Sequence, residues 1–175
     1  MRGTKMMVPS LALALSGCAI FYPPLDVVDD VDLARYAGKW YEIASYPTPF
    51  QAGCTATTAE YTLRDDGRVM VVNTCRGGSL DGPVRRIQGS ARVADASTNA
   101  KLKVSFFPPF EGDYWIIELG EDYEYAVVGV PNRAFLWILS RTPTLDEAVY
   151  QSILERLPEK EYDPALLVRT LQPTE

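Results

Sequence analysis

Lys101-Leu102-Lys103-Val104-Ser105-Phe106 alternates polar and apolar side chains without a break, and a period of two is the pattern of a strand with one face buried and the other wet. The same reading extends outward in both directions. Before it, strands are predicted over Trp40–Tyr46, Thr55–Leu63, Arg68–Cys75 and Val84–Ala94; after it, over Tyr114–Leu119, Glu124–Val130 and Phe135–Ser140. With 101–107 they make eight, at the spacing of an antiparallel sandwich or barrel. Arg64-Asp65-Asp66-Gly67 joins the second and third, and its Asp-Gly supplies the positive φ of a tight turn. Eight hairpin-linked strands with one polar face lose their edges by closing, and such a barrel has room for one small ligand.

Past the last strand, Thr144-Leu145-Asp146-Glu147 reads as a capping box, with Thr144 on the backbone and Glu147 reaching back. A helix over about 144–157 is expected to follow. Leu145, Val149, Ile153 and Leu157 recur at helical spacing and form a narrow apolar stripe for the barrel's outer wall. Pro158 ends it, and Leu166 to Leu171 reads as a last short strand or extended segment. The fold class is therefore all-β with one C-terminal helix.

Composition narrows the function. The 175 residues are 47% apolar, enough for one domain with a real core. Formal charge is −6, and no run of Lys and Arg is dense enough for a phosphate backbone, so nucleic acid is not an expected partner. Histidine is absent, which removes the commonest general base and the usual zinc ligand. No cofactor and no metal site are implied.

Arg2 and Lys5 followed by the apolar run Met6–Leu15 have the build of a secretory signal, too short to span a bilayer. Leu15-Ser16-Gly17-Cys18 resembles the lipobox of bacterial lipoproteins. That resemblance implies a signal peptide over 1–17, cleavage before Cys18 and acylation of its thiol, with several acyl chains anchoring more firmly than one. Ala19 and Ile20 are not the Asp type associated with inner-membrane retention, which points to the outer membrane and its periplasmic face. Residues 18–32 carry Tyr22-Pro23-Pro24 and an acidic run without periodicity, and read as a lipidated tether; 33–173 is the domain.

Gly38-Lys39-Trp40-Tyr41-Glu42-Ile43-Ala44 resembles the Gly-x-Trp signature that opens the first strand of lipocalins. Leu136-Trp137-Ile138-Leu139-Ser140-Arg141-Thr142-Pro143 resembles the segment that ends their last barrel strand in arginine. Lys103-Val104-Ser105-Phe106-Phe107-Pro108-Pro109-Phe110, with Tyr114, is similar to the bacterial lipocalins of the outer-membrane lipoprotein type. The middle lipocalin motif, Thr-Asp-Tyr, is not reproduced: the chain has Gly120-Glu121-Asp122-Tyr123-Glu124-Tyr125. The resemblance implies an eight-stranded up-and-down barrel whose structural motif is Gly38, Trp40 and Arg141. Trp40 would plug the closed end, and the Arg141 guanidinium would stack on its indole and donate to backbone carbonyls.

From that end, parity gives the inward face. The resemblance places Phe135, Trp137 and Leu139 inside, since they share parity with Arg141; Leu102, Val104 and Phe106 should join them, with Tyr114, Ile116, Ala126, Val128, Ala59, Tyr61, Val69 and Val71. An apolar, aromatic lining suits an acyl chain with its head group at the mouth. Fatty acids and lysophospholipids are the ligands the resemblance implies, with a homodimer left open. The alternatives are an interior filled by these same side chains, giving a structural envelope lipoprotein, and an enzyme using Glu42 or Glu118 inside the barrel. With Cys18 assigned to lipid, Cys54 and Cys75 remain for an oxidising compartment. A hairpin turning about Asp65-Asp66 brings them within one residue of facing each other, so a disulfide is expected, contributing roughly 3 kcal/mol.

Overall fold

A computed structural model describes residues 22–173. The signal peptide expected over 1–17 and Cys18 lie outside the described residues.

The chain opens with one helical turn, α1 (Leu33–Tyr36), whose Asp32 side chain accepts from the Ala34 and Arg35 N–H groups. Eight strands follow: β1 (Gly38–Ser45), β2 (Cys54–Leu63), β3 (Val69–Gly77), β4 (Val84–Asp95), β5 (Lys101–Phe107), β6 (Phe110–Leu119), β7 (Tyr125–Gly129) and β8 (Leu136–Ser140). Each pairs antiparallel with its neighbour in sequence, and β8 and β2 both pair with β1, so the sheet closes on itself. The eight-stranded barrel expected from the hairpin count is what forms. Strand direction then sorts the connections. Residues 46–53, 78–83, 108–109 and 130–135 lie at the end where β1 finishes, and the others lie with α1 and Trp40.

Two apolar clusters divide the work. Inside, Trp40, Val69, Leu102, Ile116, Ala126 and Val128 pack with Tyr36 and Val31. Outside, α2 (Glu147–Arg156) lays Tyr150 and Ile153 across Ile43, Ile138, Val127 and Ile117 of four strands. The helix begins later than the capping box suggests. Asp146, not Thr144, is its N-cap and accepts from Ala148 and Val149 N–H, while the Thr144 carbonyl accepts from the Thr142 hydroxyl. Arg156 ends the helix, a 3-10 turn carrying Pro158 follows, and β9 (Val168–Arg169) adds to β1.

Register shifts break the simple parity of the strands in five ladders, and two of them decide where the candidate carboxylates point. The register of β1 on β8 shifts between Glu42 and Ala44, and that of β6 on β7 between Ile116 and Glu118. Ile43 and Ala44 therefore both belong to the outer cluster although the strand rule alone would alternate them, and Ile117 is followed on the same outer side by Glu118.

The segment preceding α1 departs from its reading as a tether. Val31 N–H donates to Thr98 O and Val28 N–H to Ile116 O, and Leu25 and Val31 are buried. Residues 22–32 are thus part of the folded domain. Three apolar residues, Leu25, Val27 and Val28, supply the burial that a solvated linker lacks.

Candidate functional site

The closed end is built on Trp40. Its indole is fully buried and its N–H donates to Tyr36 O at 2.8 Å. The Arg141 guanidinium stacks on it 3.8 Å from the ring centroid and donates to the carbonyls of Arg35, Tyr36, Ala37, Lys39 and Tyr123. One planar fork thereby ties α1, the start of β1 and the β6–β7 turn together. Gly38 sits at φ +94, where a Cβ would stand 3.4 Å from that fork. Tyr123 holds the turn that departs from the family motif: its hydroxyl accepts from Asp32 N–H, and Arg35 lies 4.2 Å over its ring.

Above this floor the barrel is hollow. A cavity of about 840 Å³ opens between the connections at the far end. Of the residues assigned inward by parity, Ala59, Tyr61, Val71, Val104, Phe106, Tyr114, Phe135, Trp137 and Leu139 line it. Val69, Leu102, Ile116, Ala126 and Val128 do not; they face inward but are packed into the cluster around Trp40. Periodicity tells which way a side chain points and carries no information on depth along the barrel.

The wall also has polar features that parity did not single out as such. Tyr114 Oη lies 2.7 Å from Tyr36 Oη and 2.9 Å from Tyr61 Oη, forming a phenol cluster at the base of the cavity. Burial pushes all three phenols up, Tyr61 to about 12, so they are neutral hydrogen-bonding groups at any physiological pH. Three hydroxyl protons serve two mutual hydrogen bonds, which leaves one to donate elsewhere. Near the mouth, Gln51 accepts from the Trp137 indole N–H and donates to Glu42. No pattern in the sequence marks Gln51, because it lies on a connection and not on a strand.

The two carboxylates considered for catalysis part company. Glu42 is buried in the cavity wall, but its oxygens accept from Thr170, Ser45 and Gln51. Glu118 lies outside: the bulge at Ile117 turns it away from the interior and onto Arg156 of α2, at 2.7 Å. Cys54 and Cys75 form a disulfide at the mouth end of β2 and β3. The ladder sets Thr55 opposite Arg76 and Thr58 opposite Thr74, so Cys75 faces the bulge that contains Ala56.

A closed antiparallel barrel, plugged by a tryptophan under a stacked arginine and hollow above, defines a class of small-ligand carriers. The chain matches the lipocalin-like domain over residues 31–172 and belongs to the lipocalin family. It is 41% identical over 165 residues to the outer membrane lipoprotein Blc of Escherichia coli K12, spanning 93% of this chain and 92% of that one. It is 42% identical over 157 residues to temperature-induced lipocalin-1 of Arabidopsis thaliana, spanning 85% and 83%. Among solved structures, insecticyanin from the tobacco hornworm Manduca sexta superposes with a TM-score of 0.72 at 22% identity, over 89% of this chain and 87% of that one.

Proposed function

We propose that this lipocalin binds a fatty acid or lysophospholipid in its barrel and stores or carries it at the cell envelope, as a binding protein and not an enzyme. The observation that carries the reading is the cavity itself, which has the size of a small-molecule site, roughly 300–1,000 Å³, and walls such as Val71, Val104, Phe106 and Trp137. The acyl chain lies along these side chains, where each buried methylene contributes about 0.8 kcal/mol, and the head group stays at the mouth. Affinity then follows chain length more than any single polar contact.

The similarity to outer membrane lipoproteins supports the further reading that Cys18 is acylated and holds the domain at the periplasmic face of the outer membrane. Titration with a fluorescent fatty acid tests the binding. Val104→Trp, which puts an indole into the cavity, should lower affinity at least about tenfold, the equivalent of losing roughly two methylene contacts. Unchanged affinity in a folded Val104→Trp protein, or no lipid recovered from protein extracted out of the envelope, would rule the reading out.

A further inference from the structure

Most of the large exposed apolar side chains of the barrel gather at its mouth, Leu63 at the closed end being the exception. Phe50 is 69% exposed, Phe107 70% and Phe110 77%, on the β1–β2 connection and the β5–β6 hairpin. Rings displayed together on one rim mark a surface that meets something apolar. Arg85 and Arg86 are exposed beside them and, among the described residues, form no ion pair. Of the acidic side chains at this end, Glu111 is held by Arg92 at 2.6 Å and Asp113 by Lys103 at 2.7 Å, Glu42 is buried in the cavity wall, Asp81 is on the β3–β4 turn, and Glu161 and Asp163 lie across the mouth where the chain after α2 meets Arg133 and Tyr46.

The course of the N-terminal segment says what the rim meets. From α1 at the closed end, residues 22–32 climb the outer wall through the Val31–Thr98 and Val28–Ile116 backbone bonds. Leu25 is buried among Ile43, Tyr46 and Tyr162, and the Tyr22 ring lies 5.1 Å from the guanidinium of Arg133. Arg133 is on the β7–β8 turn, at the mouth end. Cys18 stands four residues before Tyr22, so the chain between them reaches at most about 14 Å. Tyr22 thus stands at the open end of the barrel and away from the plugged one, within that reach of the cysteine read as the anchor.

We propose that the open end docks on the lipid bilayer, with Phe50, Phe107 and Phe110 entering its interfacial layer and Arg85 and Arg86 meeting phosphate groups, so that ligand passes between membrane and cavity without crossing water. The proposal rests on acylation of Cys18 as read above. In this pose the side chains that would be a liability in water are buried in lipid, and the cavity mouth lies against the source of its ligand.

The test uses the full lipoprotein on vesicles of phosphatidylethanolamine and phosphatidylglycerol containing a nitroxide-labelled lipid. A polarity-sensitive fluorophore is placed on Phe110→Cys at the mouth or on Asp65→Cys at the closed end, both exposed sites. Emission from position 110 should shift to the blue and be quenched, and emission from 65 should do neither. In a second measurement, Phe107→Ser/Phe110→Ser should retain vesicle binding through the anchor while loading fatty acid from vesicles more slowly than the parent. Quenching at 65, quenching at neither site, or unaltered loading in the double variant overturns the docking, even where the intact mass shows acylated Cys18. An unmodified Cys18 overturns the anchor and the docking together. Titration with a fluorescent fatty acid in the absence of vesicles reports separately whether the cavity binds.

Discussion

At the scale of the residue, Arg141 carries more of the structure than its position at a strand end suggests. Its guanidinium satisfies five carbonyls from two segments and the β6–β7 turn while covering Trp40. Burial makes its charged form less favourable, lowering its pKa from the usual arginine value, and the carbonyl dipoles offset that cost. Lysine keeps the charge but has neither the planar stack nor the fork, and cannot reach all of these acceptors. Arg141→Lys should therefore lose about 1–3 kcal/mol, as expected when half-buried hydrogen bonds to a charged group are left unmade; urea unfolding measures it. A loss below about 0.5 kcal/mol, the level of an ordinary surface substitution, would show that the stack is dispensable. This residue was readable in advance because the stretch Leu136–Pro143 resembles the segment that ends the last barrel strand of lipocalins in arginine. Gln51 was not, since a side chain on a connection has no periodicity to betray which way it points.

At the scale of the element, the strands were legible wherever alternation survived, and the errors fall where it fails. Glu118 shares parity with Tyr114 and Ile116, yet one extra residue in the ladder at Ile117 turns it outward to Arg156. Nothing local distinguishes an isoleucine in a bulge from one in a regular strand. The Asp146 cap was missed for a related reason: Thr144 and Asp146 are both good capping residues, and docking of the helix decides between them. Glycine within β4 gives the converse case, a composition signal with a steric cause. A Cβ on Gly89 would lie 2.5 Å from Ser105 O and 2.7 Å from the Phe106 ring, both on the paired strand β5. Backbone cannot yield as a side-chain tip does, so β4 and β5 must separate. Alanine would gain about 0.4–1 kcal/mol by restricting the unfolded chain, against about 1–3 kcal/mol of overpacking. Gly89→Ala should accordingly be destabilised by about 1–2 kcal/mol net, seen as a lower thermal midpoint, and a more stable protein would contradict the clash.

At the scale of the whole molecule, the ionisable groups that the fold perturbs most are phenols. The chain has no histidine, and Cys54 and Cys75 are consumed by their disulfide, so little within the barrel titrates between the carboxylates and the tyrosines. Burial pushes Tyr61 inside and Tyr162 against the outer wall up to about 12, and raises Tyr36 and Tyr114 well above their ordinary value. These groups sit on both faces of the barrel wall: three join floor to cavity, and Tyr162 holds the β7–β8 end through Val130 N–H and O. A raised folded pKa means that the native state keeps protons which the unfolded chain gives up. The contribution to stability is thus complete below the unfolded value near 10 and is lost as pH rises from there towards 12. Each such phenol adds a slope of about 1.4 kcal/mol per pH unit within that window. Unfolding free energy should consequently be nearly flat from pH 6 to 9 and fall steeply above pH 10. Tyr61→Phe should shift the whole curve but make its alkaline limb shallower by one phenol's share. An alkaline limb as steep in Tyr61→Phe as in the parent would mean that Tyr61 is ionised as readily folded as unfolded, and that the base of the cavity is wetter than its packing against Tyr36 and Tyr114 implies.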